Sequence, residues 1–377
     1  MIFSLLYIFF FKICYNFNLI SDDYFYDNIV SFIKTHGILF IKIAQIISSR
    51  NMSKMPIKLK KKLKVLQDKC FFDIDENKKF LKSLNYELNI KEPLAAGSIA
   101  SIYLVKNNYN NDVSILKLVN QGVLKRIKKS KSNLKLILKI LKIFSKYNLE
   151  KLIDVDEFSE YLLKQLSMKN EARIQCIFFN IFKNYDHISV PKIYNHDNNI
   201  IEMEFKDGLK LDEFVKKYPD FQYEAISVLY ESIIISIKNN ILHGDFHFGN
   251  FLYKLVDFKV HIIILDFGVV CELNDEQKEY LLISINPKKN EELRINSLFE
   301  FLKSFNISLG KYKFKKRDKI ETILLKLINS DNILPTNIYS CINTIHLLFD
   351  YIDTIKKKDR SFDEYLIGHL IENDLNI

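Results

Sequence analysis

The sequence predicts an α+β protein in which a helical extension precedes a small strand-rich region and a larger, mostly helical remainder. Three observations carry this. Gly and Pro are scarce, 9 and 6 in 377 residues, and Leu/Ile/Lys-rich stretches dominate, which favours helix. Residues 90–119 instead read as extended segments separated by turn residues, as paired strands do. With 48% hydrophobic and 27% charged residues, the chain is globular and long enough for two lobes plus an extension.

The elements follow in order. Residues 1–11 are apolar apart from Ser4, and Lys12 precedes a second, mostly apolar run over 13–20 that contains Asn16 and Asn18. A spanning helix needs about 20 apolar residues, so this segment reads as a membrane-contacting helix or as a buried or disordered terminus. It lacks the basic n-region and cleavage site of a secretory signal. With no Arg, and with Asp22 and Asp23 following, it also fits a transit peptide poorly. Residues 24–67 have helical periodicity, with Ile38, Ile41, Gln45 and Ser48 on one face. Met55-Pro56 breaks this pattern, and Pro56 opens the next helix.

Residues 90–94 are extended, Ala95-Ala96-Gly97-Ser98 is a tight turn, and 99–105 is a strand. Residues 113–119 form an apolar strand interrupted by one charge, Lys117. Residues 121–145 make a Lys-rich amphipathic helix, and 156–182 a further helix containing Glu171. Val190-Pro191-Lys192-Ile193-Tyr194 leads to a hairpin whose second strand, 200–205, ends at Lys206-Asp207-Gly208. Residues 223–239 are helical, 241–250 form a His/Gly/Asp loop, and 260–265 form a strand ending at Asp266-Phe267-Gly268. From Asn274 the chain is helical.

The net charge of +9 suits an anionic partner or a Lys-rich solvated surface. Nucleic acid is not the expected partner, because the basic helix lacks interleaved aromatics for base contact. The five cysteines, Cys14, Cys70, Cys176, Cys271 and Cys341, are scattered and form no C-x-x-C pair. That argues against a disulfide framework or a zinc site.

The chemistry concentrates in His243-Gly244-Asp245-Phe246-His247-Phe248-Gly249-Asn250 and in Asp266-Phe267-Gly268. Phosphoryl transfer needs a carboxylate near the attacking hydroxyl, oxygen ligands for Mg²⁺ and a cation on the phosphates. The kinase loop H-R-D-x-x-x-x-N spaces Asp and Asn as Asp245 and Asn250 are spaced here. Asp266 ends a run of β-formers, where a metal-binding D-F-G lies. D-F-G alone recurs by chance; the loop followed by D-F-G is specific. The bland alternative is an Asp/His/Gly turn beside a buried strand. Gly244 and Gly249 favour a loop over a zinc-binding helix face, so His243 is expected to hold the loop by hydrogen bonds. Val113-Ser114-Ile115-Leu116-Lys117-Leu118 fits a V-A-I-K strand. A lysine in an apolar strand needs a partner, and Glu171 is the candidate.

Further blocks carry a family resemblance. Pro93-Leu94-Ala95-Ala96-Gly97-Ser98-Ile99-Ala100 resembles the alanine-rich loop of the UbiB/ADCK atypical kinases. Lys42-Ile43-Ala44-Gln45-Ile46-Ile47-Ser48-Ser49-Arg50 resembles their K-x-G-Q-x-x-S-x-R motif. Leu66-Gln67-Asp68, Val190 to Tyr194, Met203-Glu204-Phe205-Lys206-Asp207-Gly208 and the His243 loop match further blocks in the same order, over about residues 24–273.

The resemblance implies a two-lobed protein-kinase-like fold with a small β-containing N-lobe, a helical C-lobe and an N-terminal helical extension over the active site. The corresponding segments are 1–23, an apolar terminus; 24–88, the extension; 89–205, the N-lobe with its inserted basic helix; and 206–377, the C-lobe and helical tail. It implies ATP as nucleotide with Mg²⁺ or Mn²⁺, kinase or ATPase activity, and a role in ubiquinone or other prenyl-lipid metabolism. Partners would be an anionic membrane surface and lipid-biosynthesis proteins, with membrane-associated, mitochondrial localisation resting on the resemblance alone.

Carried over residue by residue, Lys117 holds the α/β-phosphates, Glu171 orients it, and Asp245 is the catalytic carboxylate. Asn250 and Asp266 hold metal, Ala95, Ala96, Gly97 and Ser98 form the nucleotide loop, and the backbone at Glu204 and Phe205 meets adenine. Lys42 and Gln45 belong to a regulatory extension. Three departures stand out. Ala44 replaces the motif glycine, Gln165-Leu166-Ser167 replaces an acidic E-x-D, and Gly97 replaces a third alanine. Loss of the two acids removes a possible ion-pair partner for Lys42. Two alternatives differ in class: a small-molecule kinase of the aminoglycoside or choline type, whose H-G-D-x-x-x-x-N loop is matched, and a non-catalytic nucleotide-sensing scaffold.

Overall fold

The computed structural model describes residues 12, 14–17, 19–41, 44, 56–68, 74–84, 86–88, 92–97, 99–106, 113–144, 155–245, 248–311, 314–315, 318–328, 334, 336–356, 359 and 361–375. The chain divides into two compact units. The first is Met1–Met168 with Asp197–Glu202, the second Lys169–His196 with Met203–Ile377. The division differs from the boundary drawn at 205/206: the helix carrying Glu171 belongs with the second unit.

In the first unit, α1 (Asp22–His36) starts at Ser21, whose Oγ accepts the Tyr24 N–H at 3.3 Å. It stops at Gly37, φ 103°, where a Cβ would strike Ser130 Oγ. This residue interrupts the helical run expected from residue 24 to the break at Met55-Pro56, because its backbone conformation suits only glycine. Helix α2 (Ile57–Asp68) packs against α1, with Lys62 Nζ 2.6 Å from Asp27 Oδ1. Helix α3 (Ile74–Ser83), unmarked in the sequence reading, buries Leu81 against Tyr103, Val105, Leu116 and Leu118.

The strands β1 (Glu87–Leu88), β2 (Ala95–Ala96), β3 (Ala100–Lys106) and β4 (Val113–Val119) form an antiparallel sheet in the order β1-β3-β4, with β2 also on β3. The strand Ile200–Glu204 follows β4. Alternation fixes the faces: Tyr103, Val105, Leu116 and Leu118 turn to α3 and are buried, while Ile102, Leu104 and Ile115 on the other face are half-buried. The basic helix α4 (Val123–Phe144) is held to α5 (Val155–Gln165) by Lys131 and Lys135, 2.8 and 2.7 Å from Asp156.

The helix expected over 156–182 is in fact two, α5 and α6 (Met168–Phe182), separated at residues 166–167. The second unit holds β5 (Ile188–Ser189) and β6 (Ile193–His196); the chain then passes through β7 (Ile200–Glu204), whose first three residues belong to the first unit, to α7 (Leu211–Lys217). The core is built on α8 (Gln222–Lys238), which is buried without interruption from Ala225 to Ile237. The short β8 (Ile241–His243) pairs with β11 (Val270–Glu272), with His243 opposite Val270. The hairpin β9 (Phe251–Val256) and β10 (Lys259–Ile264) carries β5 in parallel. Thus the loop expected over 241–250 begins as a strand. Helices α9 (Asp275–Ile285), α10 (Glu291–Lys303), α11 (Ile320–Ile328), α12 (Thr336–Lys356) and α13 (Phe362–Glu372) complete the unit.

Candidate active site

His243 organises the site residues of the second unit. Its ring lies in an aromatic box, with ring centroids 6.1 Å from Phe178, 5.9 Å from Phe251 and 5.8 Å from Phe267. Nε2 donates to the Asp266 carbonyl at 2.7 Å, and Nδ1 accepts the Asp245 N–H at 3.3 Å. One neutral tautomer satisfies both bonds. Burial, partly offset by the charges of Asp245 and Asp266, holds the imidazole below the ordinary histidine pKa. His243 therefore ties the catalytic-loop strand to the D-F-G segment through backbone bonds, the hydrogen-bonding role expected of it.

The surrounding backbone is equally constrained. Thr344 Oγ1, from α12, donates to the His243 carbonyl at 3.1 Å, and Gly244 N–H to the Val269 carbonyl at 2.9 Å. A Cβ on Gly244 would fall 2.8 Å from Val269 Cγ1, so close approach requires glycine here. Phe267 is fully buried and sits 5.0 Å from Phe178. Phe178 lies two turns beyond Glu171 on α6, so one helix supports the D-F-G phenylalanine and carries the candidate acid.

Asn250 is buried. Its Nδ2 donates to the Asp245 carbonyl at 2.8 Å, and its own carbonyl accepts from Leu265 N–H at 2.8 Å. That orientation makes Oδ1 the ligating end of the side chain. Lys210 Nζ donates to the neighbouring Gly249 carbonyl, and burial lowers its pKa. Asp266 is exposed with φ 56°, a strained conformation for a non-glycine residue. Its Oδ1 accepts the Gly268 N–H at 3.2 Å. A Cβ on Gly268 would lie 3.3 Å from Asp266 Oδ1 and 3.9 Å from Glu171 Oε2, so both carboxylates border this glycine. Glu171 is 3% exposed. The second unit thus brings Glu171, Asp245, Asn250 and Asp266 together.

The adenine-side candidates lie on the same unit. Glu204 N–H donates to the Lys192 carbonyl at 2.8 Å, and its carboxylate is 2.7 Å from Lys206 Nζ. Phe205 is exposed. Gly208 lets the chain cross β9, where Leu209 and Tyr253 exchange backbone bonds of 2.9 and 2.8 Å; a Cβ would lie 2.9 Å from Leu252 Cβ.

In the first unit, Lys117 is 8% exposed, directly opposite Ile102, which is itself opposite Ala95. Directly paired residues share a sheet face, so Lys117 and the alanine-rich turn occupy one row across β4, β3 and β2. Gly97 N–H closes the turn on the Ala100 carbonyl at 2.7 Å. Asn120 Nδ2 holds the Gly97 carbonyl at 2.8 Å, and Asn77 Nδ2 holds Asn120 Oδ1 at 2.9 Å. Glu202 is buried and accepts from Tyr86 at 3.0 Å and Ser114 at 2.9 Å.

Ser98, Lys42, Gln45 and His247 lie outside the described residues. The expected loss of an ion-pair partner for Lys42 therefore also falls outside them. Ala44 is buried against Val30, Ile41 and Leu63, so its methyl fills helix packing where the family motif has glycine. The sequence reading missed Asn77, Asn120, Phe178, Lys210 and Thr344. Only Phe178 left a signal, its two-turn spacing from Glu171. Among the described residues no group of three or more His, Cys, Asp or Glu side chains gathers as metal ligands.

A sequence model of the ABC1 atypical kinase-like domain matches residues 73–291, more than half of the chain. A protein of Paramecium bursaria Chlorella virus 1, named as an ABC transporter, is 26% identical over 247 residues, covering 65% of this chain and 50% of that protein. An uncharacterized aarF domain-containing protein kinase of Arabidopsis thaliana is 28% identical over 254 residues, covering 64% and 35%. A protein named as the kinase UbiB in Tolumonas auensis is 24% identical over 263 residues, covering 65% and 48%. The matched stretch spans half or less of each relative.

Proposed function

The chain belongs to the ABC1 atypical kinase-like domain family, and on that premise we propose that it is a metal-dependent ATP phosphotransferase or ATPase. The observation that supports this most is the arrangement around His243. One neutral imidazole bonds the backbones of Asp245 and Asp266, and Asn250 bonds that of Asp245. These backbone bonds support a reading in which the three oxygen-bearing side chains act in the order a kinase uses them.

The donor set fits a divalent ion bound together with nucleotide. Mg²⁺ takes oxygen ligands, often only one or two protein side chains plus phosphates, and keeps waters. Asn250 Oδ1 and the exposed Asp266 carboxylate make such a pair. When bound, the ion neutralises charge on the transferred phosphoryl group. Asp245 takes the proton of the attacking hydroxyl or water. Lys117 binds the α/β-phosphates, with Glu171 orienting it, and the turn Ala95-Ala96-Gly97-Ser98 covers the phosphates. Because Glu204 N–H is committed to Lys192, adenine would meet the Glu204 carbonyl and the Phe205 backbone.

The biological role rests on the family resemblance, and we propose it as support of ubiquinone or other prenyl-lipid metabolism at a membrane. No described helix is long and apolar enough to cross a membrane. The apolar terminus and the +9 charge support attachment to an anionic surface. Flotation with anionic liposomes tests that part: shortening the chain to begin at Ser21 should reduce it, and unchanged flotation removes the terminus from the account. Steady-state ATP hydrolysis with Mg²⁺ tests the chemistry. Asp245→Asn should lower turnover by about 10²-fold or more, and an unchanged rate overturns the assignment. Nucleotide binding without turnover in the wild type would favour a sensing scaffold.

A further inference from the structure

We infer that Asn77 and Asn120 form a two-carboxamide clamp that sets the nucleotide loop, making them positioning residues for nucleotide binding; this rests on reading residues 95–98 as that loop. Asn77 stands on α3, in the segment before the sheet, and Asn120 at the end of β4. Both are buried, at 0% and 1% exposure, as are Ser101 and Tyr103 beside them. Buried carboxamides are costly unless satisfied, and these are extensively bonded.

The chain of bonds has one direction. Gln121 N–H donates to Asn77 Oδ1 at 2.9 Å, which fixes the amide so that Nδ2 points to Asn120 Oδ1 at 2.9 Å and to the Tyr103 hydroxyl at 3.3 Å. Asn120 Oδ1 also accepts from Ser101 Oγ. Its acceptor end is thus occupied by two donors, and Nδ2 is turned to the Gly97 carbonyl at 2.8 Å. Asn120 N–H meanwhile holds the Ile99 carbonyl at 2.9 Å. The turn is consequently gripped on both sides of residue 98 by one residue of the lysine strand.

A loop with three glycines would adapt to the phosphates when they arrive. This one has a single glycine, and Asn120 holds its carbonyl in place. Nucleotide affinity then depends on α3, which need not touch the ligand. Asn77 acts on the loop only through Asn120.

The sheet supplies a matched control. Ser101 and Ser114 are both fully buried on the core face of adjacent strands. Ser101 donates into the clamp, Ser114 to Glu202. The experiment is titration of the full chain with Mg²⁺ and adenosine diphosphate by calorimetry, well below the melting temperature, with amide exchange at Gly97 and Asn120. Asn77→Ala should weaken binding about tenfold and speed exchange at both amides. Ser101→Ala should do the same to a lesser degree, keeping the test intact if Asn77→Ala does not fold. Ser114→Ala should lower the melting temperature like Ser101→Ala and leave affinity and loop exchange unchanged. Equal affinities in Ser101→Ala and Ser114→Ala, with wild type binding normally, overturn the clamp and leave the functional reading standing. No binding by the wild type overturns that reading, and the clamp's role in nucleotide binding falls with it.

Discussion

The Gly97 turn and the backbone around His243 are held by opposite means. The turn hangs on a buried polar chain, Asn77 to Asn120 to Gly97, in which each link is one hydrogen bond. The His243 segment rests on packed rings, with Phe178, Phe251 and Phe267 around the imidazole, and hydrogen bonds finish the alignment. A polar chain fails when one atom is removed, because a buried partner is left unsatisfied. A packed box fails when volume is removed, because the surroundings relax only partly.

Volume deletion in the box should have the largest effect. Phe267→Ala, at a fully buried position, should cost about 3–5 kcal/mol in denaturant unfolding; a cost below about 1 kcal/mol would show that packing does not hold the D-F-G segment. Crowding the same loop is the next test. Gly244→Ala places a methyl 2.8 Å from Val269 Cγ1 and should cost about 1–3 kcal/mol. If it is neutral, the approach of β8 and β11 is looser than described.

For the polar chain, Asn77→Leu keeps the number and branching of the side-chain heavy atoms and still should cost about 1–3 kcal/mol, since Asn120, Tyr103 and Gln121 lose a partner. A neutral result would erase the contrast between the two regions.

The smallest effect is a pH dependence of the box. Burial depresses the His243 pKa, so the unfolded chain binds this proton more readily than the folded one. The stability contribution is complete above the unfolded value near 6.5 and is lost as pH falls through it toward the folded value. Because His261 and His346 are also lowered by burial, the measurement is a difference: wild type should lose more stability than His243→Gln between pH 7 and pH 5. Parallel pH curves would contradict a buried neutral imidazole.

How much was legible in the sequence follows the same division. Lys117, Glu171, Asp245, Asn250 and Asp266 stand out as candidates because phosphoryl transfer constrains residue type and spacing together. The long helices were readable from periodicity. Short strands such as β8 and β11, three residues each, have too few positions for alternation to register, and tertiary pairing decides them. Gly37 was missed because a lone glycine in a helical pattern does not disclose its φ of 103° or that a Cβ there would strike Ser130, far along the chain. Asn77 and Asn120 carry no local pattern; the 43-residue separation of their bond makes the clamp a property of the fold.

The central claim is that Asp266 and Asn250 supply the metal ligands for a nucleotide. Asp266→Asn tests it most directly, because the residue is exposed and asparagine tolerates its left-handed backbone, so folding should survive the change. Thermal melting with adenosine diphosphate, with and without Mg²⁺, should show a metal-dependent rise in the wild type and none in Asp266→Asn. An equal rise in both proteins would put the metal elsewhere and contradict the account.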